Sequence, residues 1–193
     1  MNDPIVPNSA LDVIYRRRSV RAFTPQKLDP GTVRTLLHAA VRAPTAILGE
    51  PWAFVVIQDK VLIKRLSDRA KKIFIEEARR ISHGSSVPDN LQDPDFNFFY
   101  NAGTLIIVCG KAMGLFVAAD CWLAAENLML AACAMGLGTC VIGSAVSGLN
   151  SPEVKAELGI PTEFSAIAPI IVGVPDDEPD FMPRKEPRIL AWK

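Results

Sequence analysis

The sequence has little with which to build a metal site or a nucleophilic catalyst. It contains two histidines, His38 and His83, and four cysteines, none of them in a C-x-x-C pair. Because zinc sites usually draw their ligands from histidines and such cysteine pairs, a zinc enzyme is poorly supplied here. Neither histidine stands in a sequence context that pairs it with a serine or cysteine nucleophile. An enzyme built on this chain would therefore take its reactivity from an organic cofactor.

Net charge and glycine-rich phosphate loops are also missing. The 21 lysines and arginines balance the 21 aspartates and glutamates, which argues against binding along the backbone of a nucleic acid. Neither Gly-x-Gly-x-x-Gly nor a Walker-type Gly-Lys-Ser/Thr is present. The glycine-spaced segment GLGTCVIG is explained by a helix end, a turn and a strand without any ligand. A phosphate would have to be bound by other groups.

The chain opens without a basic stretch followed by an apolar one, so we expect no secretory signal peptide and a cytoplasmic protein. Residues 127–152 carry no charge, but glycines and polar side chains interrupt them. A buried helix, turn and strand is therefore predicted there in place of a membrane span. The cysteines are expected to be buried free thiols in a reducing compartment: Cys109, Cys121, Cys133 and Cys140.

What the chain does have is enough apolar sequence for one domain with a real core, since 49% of its 193 residues are hydrophobic. Capping signals predict helices that begin after Ser9, Asp29 and Ser151, and the second of these is expected to end at Pro44. Short apolar runs predict strands at residues 53–58, 104–109, 138–143 and 165–174. A long amphipathic helix is predicted at 62–79, and a nearly all-apolar helix at 116–135 with Gly136 as its C-cap. Helices and strands alternate irregularly, so we predict an α+β fold with a central mixed or antiparallel sheet flanked by helices.

Two segments lack regular periodicity. Residues 83–95 are rich in serine, proline, asparagine and aspartate, which predicts a mobile loop. Residues 175–193 are proline-rich and charged, which predicts an extended tail. The expected organisation is a single domain at residues 1–174, followed by the extended tail at residues 175–193.

The densest charge in the sequence lies around Ser19 and comes from Arg16, Arg17, Arg18 and Arg21. One explanation is a solvated helix C-terminus, where cations favour the negative end of the helix dipole. The other is an anion site, because arginine forks hold phosphate bidentately and a serine hydroxyl adds a donor. The cluster leads from an apolar helix into the apolar Phe23, which favours the anion site.

Three groups of segments, in order over nearly the whole chain, resemble the nitroreductase family. The first is RRSVRAF at residues 17–23, with APT at 43–45 and PWAFVV at 51–56; the second is AENLMLAACAMGLGTCVIG at 125–143. The third is a basic pair at 184–185 ahead of ILAW at 189–192. The resemblance implies bound FMN, NADH or NADPH as co-substrate, and an intertwined homodimer. It also implies ping-pong hydride transfer through flavin N5 to a small flat acceptor such as a nitroaromatic or a quinone.

The resemblance assigns roles to the arginine segment and the tail. Arg17 and Ser19 would hold the FMN phosphate and ribityl chain, and Arg18 would add main-chain contacts. Arg21 would lie near the N1 and O2 side of the isoalloxazine. A basic residue of the tail would return to the phosphate, either Arg184 or Lys185.

Two further groups are implied by the same resemblance. Residues of the partner subunit would cover one edge of the flavin: Pro44, Thr45 and Ala46. Residues after the central helix would pass the flavin's N5 side and offer a backbone N–H: Val141, Ile142 and Gly143. Leu48 stands where the family often carries an amide, so one flavin hydrogen bond is missing or comes from elsewhere, and Asn97 or Asn101 could supply a mid-chain contact. No catalytic acid or base is assigned, since the flavin carries the chemistry.

Alternatives remain open at this point. The apolar helix at 116–135 needs more cover than a small domain easily gives, which favours a homodimer over a core helix within a monomer. An FMN-dependent dehalogenase, or a flavin-binding regulatory protein without nitroreductase activity, would share the same cofactor residues. A flavin-free interaction domain could instead use the arginines to bind an acidic partner.

Overall fold

A four-stranded antiparallel sheet lies at the centre of the structure, a computed structural model that describes residues 9–81, 91, 93, 95–111, 114–177 and 183–193. Its strands are β1 (Trp52–Ile57), β2 (Thr104–Lys111), β3 (Gly138–Val141) and β4 (Phe164–Gly173), in the order β1-β2-β4-β3. The central strands β2 and β4 are buried over most of their length, which explains why they form continuous apolar runs in the sequence. The predicted strands agree closely with these bounds. Most of the loop predicted at 83–95 lies outside the described residues.

Six α-helices accompany the sheet in the described part of the chain: α1 (Ala10–Arg16), α2 (Pro30–Ala40), α3 (Lys60–Ile81), α4 (Val117–Ala134), α5 (Val146–Leu149) and α6 (Pro152–Leu158). Capping side chains begin three of them as predicted: Ser9, Asp29 and Ser151 each accept a backbone N–H from the first turn that follows. Gly136 and Gly159 follow α4 and α6 with φ of 73° and 66°, the left-handed conformation that closes a helix.

Helix α2 ends earlier than the sequence predicts, at Ala40 and not at Pro44. The N–H groups of Arg42 and Ala43 donate to the carbonyls of Ala39 and Ala40, three residues back, at 3.1 Å each. This change from α-helical to tighter bonds ends the regular helix before the proline is reached.

The sheet separates two apolar cores. Leu105 and Ile107 of β2 lie in the core that also contains α3, whereas Ile106 and Val108 lie in the core with α2 and α4. Alternate residues point to opposite faces because the strand is pleated. The arrangement is therefore one sheet with helices on both faces.

Helix α4 is buried on one side only. By length and composition it could cross a membrane, with a mean hydropathy of 1.3 over 18 residues, of which 39% are buried in the structure. Ala124 and Leu128 are fully buried, but Trp122 and Leu123 are 44% and 46% exposed. The face of α4 toward the sheet is buried, as predicted. The opposite face, which is also apolar, is uncovered in the single chain.

The cysteines are free thiols, as the sequence predicts. Cys109 and Cys121 lie in the core, where burial raises the pKa of each thiol to about 11. Both therefore behave as small apolar side chains.

The free edge of β3 is covered by the segment that carries the arginines. Ser19 forms a parallel bridge with Thr139, and the Val20 N–H donates to the Thr139 carbonyl at 2.9 Å. Gly138 permits this approach, because a Cβ at this position would lie 2.7 Å from the Cβ of Val20. The arginine segment is thus fixed to the sheet by backbone pairing.

The chain returns to this segment after β4. Phe23 bridges Pro175 in antiparallel fashion, and the Thr24 N–H donates to the Val174 carbonyl at 3.0 Å. Residues 183–193 are exposed and contain neither helix nor strand.

Candidate functional site

A cleft of about 360 Å³ opens at the end of β3, which we call the Arg21 cleft. Arg21 lies on one side of it together with the end of β3 and the turn that follows: Cys140, Val141, Ile142, Gly143 and Ser144. The bridge between Ser19 and Thr139 brings these distant parts of the sequence together. The structure thus joins Arg21 with all three residues predicted for the N5 side of a flavin.

The polar groups on this side of the cleft are available for a ligand. Within the described ranges, the Arg21 guanidinium forms no hydrogen bond and no ion pair. The 3₁₀ turn Gly143–Ala145 makes its first bond from the Ala145 N–H to the Ile142 carbonyl, so the N–H groups of Gly143 and Ser144 stay unused by their neighbours. A Cβ added at Gly143 would meet nothing within 4 Å. One cation, two N–H donors and open space therefore meet here.

Ser19 reaches the same region from the arginine segment. Its hydroxyl lies within hydrogen-bonding reach of the Cys140 sulfur, and the Cys140 S–H donates to the Val141 carbonyl at 3.6 Å. Burial raises the pKa of Cys140, and the charge of Arg21 and the Ser19 hydrogen bond only partly oppose this effect. Cys140 is therefore a neutral thiol near neutral pH.

The rest of the lining of the Arg21 cleft is mostly aromatic. We define the aromatic wall as four residues, with Leu91 beside them: Phe74, Phe96, Phe98 and Tyr100. Their rings meet edge to face, with centroid distances of 5.8 Å for Phe74–Phe98, 6.0 Å for Phe96–Phe98 and 5.7 Å for Phe96–Tyr100. The motifs of the sequence did not predict this wall, although the run FNFFY at 96–100 forms part of it.

Helix α3 fixes the aromatic wall in place. The Phe98 N–H donates to the hydroxyl of Ser67 at 2.8 Å. The Lys71 ammonium donates to the carbonyls of Asp93 and Phe96, both at 3.0 Å. Ser67 and Lys71 are buried, so these bonds lie in a region of low dielectric where they are strong. The wall is consequently a defined surface and not a loose apolar loop.

The two candidate mid-chain asparagines bond to their own turn. The Asn97 amide donates to the Asn101 side-chain oxygen at 2.9 Å and accepts the Phe99 N–H at 2.8 Å. Neither asparagine lines the Arg21 cleft. In the single chain they support the turn that carries the aromatic wall.

Arg17 and Arg18 line a second cleft, of about 670 Å³, with residues 136–139 and 175–177. The Arg17 Nε lies 3.5 Å from Glu126 Oε1, and the Arg18 guanidinium donates to the carbonyls of Tyr15 and Arg17. The predicted cofactor residues are therefore divided between two clefts, with Ser19 between them in sequence. Arg17 would have to share its guanidinium between a phosphate and Glu126.

The remaining predicted residues line neither cleft in the single chain: Pro44, Thr45, Ala46, Leu48, Arg184 and Lys185. Ile47 and Leu48 are 94% and 91% exposed and have φ of 49° and 55°. Arg184 and Lys185 are also exposed. Residues 44–46 were predicted to cover the flavin of a partner subunit, and Arg184 or Lys185 to return to the phosphate. These roles stay predictions.

Comparison with known proteins places this geometry in a family. The sequence profile described as the Nitroreductase family matches residues 14–174. An iodotyrosine deiodinase from Thermotoga neapolitana is 27% identical, over 91% of this chain and 93% of that protein. An NADPH-flavin oxidoreductase from Vibrio harveyi is 25% identical, over 95% of this chain and 73% of that protein. The crystal structure of a nitroreductase with bound FMN from Bacteroides fragilis NCTC 9343 has a TM-score of 0.78 at 26% identity, covering 95% of this chain and 97% of that chain.

The predicted α+β architecture and the predicted resemblance are both confirmed by these matches. The profile match spans the arginine segment, the aromatic wall, α4 and the whole sheet. The chain belongs to the Nitroreductase family.

Proposed function

We propose that this protein passes a hydride from NADH or NADPH, through flavin N5, to a small flat acceptor such as a nitroaromatic or a quinone, in a ping-pong cycle. The enzyme class is that of an NAD(P)H-dependent FMN oxidoreductase, as its family and its flavin-reductase relatives indicate. The FMN named in the Bacteroides fragilis structure identifies the cofactor. The finer steps, the acceptor and the residue roles are our proposal.

The Arg21 cleft is the observation that carries the proposal, because its groups fit an isoalloxazine ring. A partner-free guanidinium, two unused N–H groups and the open space at Gly143 are the features that a flat, electron-accepting ring with polar edges requires. Arg17 and Ser19 would hold the phosphate and ribityl chain, joined by Arg184 or Lys185. When bound, FMN supplies hydride transfer at N5, so no acid or base of the protein needs to be assigned.

The protein's own groups have distinct tasks in this arrangement. Arg21 places a fixed positive charge where negative charge increases on reduction, at the N1 and O2 side of the ring, and so favours the reduced cofactor. The N–H of Gly143 or Ser144 would donate to the flavin on its N5 side and would orient the ring without a side chain. The aromatic wall excludes water from the open face above the ring.

The aromatic wall also favours a flat, weakly polar acceptor. Phe74, Phe96 and Phe98 offer ring faces and edges for stacking, and Arg21 is the sole charged residue among the described lining of the cleft. A dehalogenase acting on a zwitterionic amino acid would need charged groups for both substrate charges. The similarity to an iodotyrosine deiodinase makes a dehalogenase the second candidate function. The choice of electron acceptor in the experiment below distinguishes the two candidates.

Reduction by nicotinamide tests the proposed function. Purified protein loaded with FMN is expected to lose its yellow absorbance when NADH or NADPH is added without oxygen. 1,4-Benzoquinone or nitrofurazone, added next, is expected to restore the absorbance, because both are flat acceptors that the wall can stack. Iodotyrosine serves as the comparison acceptor.

Three outcomes of this experiment would contradict the proposal in different ways. Bound flavin that neither nicotinamide reduces favours a regulatory flavoprotein. Reoxidation by iodotyrosine but by neither flat acceptor favours the dehalogenase. Protein that binds no FMN favours the flavin-free interaction domain.

We further propose that a second copy of the chain covers the exposed apolar surface of α1 and α4. Leu11, Ile14 and Tyr15 of α1 are 58%, 51% and 61% exposed, and α1 packs against α4, which itself exposes Trp122 and Leu123. An apolar surface of this kind marks an interaction site. In the proposed homodimer, residues 1–174 form the FMN-binding domain, and the tail at 175–193 contributes to the cofactor site and the interface.

Light scattering on the purified protein tests the homodimer. We expect a particle of two chains of 21.0 kDa each, since the exposed apolar face would otherwise meet water. Replacing Trp122 by Lys is expected to shift the population toward single chains. A wild-type particle of one chain at micromolar concentration would contradict the proposal.

A further inference from the structure

Asp120 is an almost fully buried carboxylate at the beginning of α4. It is 5% exposed, and its Oδ1 accepts the backbone N–H of Ala46 at 3.1 Å. A buried carboxylate is stable only when hydrogen bonds and local dipoles compensate for the lost water. The first turn of a helix favours a negative charge, and the Ala46 N–H supplies the bond. Asp120 therefore joins the beginning of α4 to the segment that precedes β1.

The segment that precedes β1, residues 44–50, has a strained backbone conformation that its own side chains do not stabilise. Ile47, Leu48 and Glu50 have φ of 49°, 55° and 37°, a left-handed region that side-chain-bearing residues rarely adopt. The side chains of Ile47 and Leu48 are almost fully exposed, so packing within the chain does not hold them. Within the turn itself, the Gly49 N–H donates to the Ala46 carbonyl at 3.0 Å. Strained backbone persists where the surroundings determine it, and such strain is common at functional sites.

The bond from Ala46 to Asp120 is the only hydrogen bond that joins residues 44–50 to the rest of the described chain. The bond is charge-assisted, which makes it stronger than an amide–carbonyl bond. It fixes Ala46, and so it sets the direction in which residues 44–50 leave the domain.

We infer that Asp120 is the positioning residue for residues 44–50, and through them for the edge of the FMN site that this segment covers on the partner subunit. The inference rests on the proposed function for its second half. Its first half concerns the single chain alone and can be tested without FMN.

Two substitutions and a matched control test the inference through FMN affinity. Asp120→Ala removes the acceptor and is expected to raise the Kd for FMN by roughly tenfold or more. Asp120→Asn retains an acceptor oxygen of the same shape and is expected to stay within about threefold of wild type. Asn127→Ala is the control, because Asn127 also ties α4 to the chain before the turn, at the Ala39 carbonyl, without touching Ala46. It should leave the Kd unchanged.

Amide hydrogen exchange on the FMN-free protein gives the second readout. Asp120→Ala is expected to accelerate exchange in residues 44–50 while β2 keeps the protection of wild type. The Asn127→Ala protein should show no acceleration in 44–50. This measurement also separates a local effect from general loss of folding, and Asp120→Leu, which likewise lacks an acceptor oxygen, can replace a poorly folded alanine variant.

The outcomes test the two halves of the inference separately, the positioning role of Asp120 and its effect on the FMN site. Unchanged exchange at 44–50 in Asp120→Ala, or an Asp120→Asn protein as impaired as Asp120→Ala, would overturn the positioning role. Faster exchange with an unchanged Kd for FMN would overturn the link to the cofactor. Failure of the wild type to bind FMN would count against the proposed function, while the exchange result would still judge the role of Asp120.

Discussion

Arg21→Ala is expected to lower the midpoint potential of bound FMN by about 30–60 mV. A hydrogen bond to a charged group contributes about 1.5–3 kcal/mol, and about 1.4 kcal/mol corresponds to about 30 mV for a two-electron couple. The guanidinium has no hydrogen-bond or ion-pair partner among the described residues, so its charge is available to a reduced flavin. FMN affinity should also fall, by roughly tenfold. Reduction in equilibrium with a reference dye measures the potential.

Arg34→Ala is the matched control, since Arg34 is an exposed arginine on α2 that lines neither cleft. It removes the same charge from the protein without changing the cleft. Equal potentials for wild type and Arg21→Ala would show that this guanidinium does not face the N1 and O2 side. An equal shift in Arg34→Ala would show that net charge, and not position, is responsible.

Arg17→Ala is expected to weaken FMN binding by roughly 100-fold while it leaves riboflavin binding unchanged, because a bidentate guanidinium–phosphate pair contributes several charge-assisted hydrogen bonds. The comparison isolates the phosphate, which riboflavin lacks. Glu126 lies 3.5 Å from Arg17 and would compete with the phosphate for it, so Glu126→Gln is expected to tighten FMN binding. Titration of both flavins against each variant measures the effect.

The same titration decides which tail residue accompanies Arg17. Of Arg184→Ala and Lys185→Ala, the one that contacts the phosphate should lose FMN affinity selectively, and the other serves as its control. Equal losses for FMN and riboflavin in Arg17→Ala would place this arginine on another part of the cofactor, or show that it holds the fold.

Local signals predict the elements of this fold well. Ser9, Asp29 and Ser151 act as N-caps because a short side chain places its oxygen where it accepts the unpaired N–H groups of the first turn. The apolar runs become strands because a sheet covered on both faces needs no polar alternation. The early end of α2 was not predictable, because neither glycine nor proline stands between Ala40 and Pro44 to signal the change to the tighter bonds of Arg42 and Ala43.

The candidate site was predictable only in part. The resemblance pointed to Arg21 and to the turn after β3, and the structure brings them together. The aromatic wall was not assigned, because Phe74 occupies an ordinary position on the apolar face of α3 and its neighbours 96–100 lie far along the chain. Which face of a helix borders a cleft depends on tertiary packing, and a periodic pattern cannot distinguish that face from the core.

Residues 44–48 and 184–185 illustrate a second limit. Within one chain they are largely exposed and line neither cleft. If the proposed homodimer forms, their neighbours belong to another molecule. When a site is shared between subunits, its two parts lie far apart within one chain and meet only in the dimer. Neither the sequence nor a single chain therefore shows that they belong together.

The close approach of Val20 to Gly138 links two positions that are remote in the sequence. A side chain at 138 would have to displace Val20, and with it the backbone on either side, which carries Ser19 and Arg21. Natural variants of this protein can therefore enlarge residue 138 only together with a smaller residue at 20. We expect an inherited change to a larger residue at 138 alone to displace Ser19 and Arg21, which we propose to bind FMN, and so to weaken FMN binding.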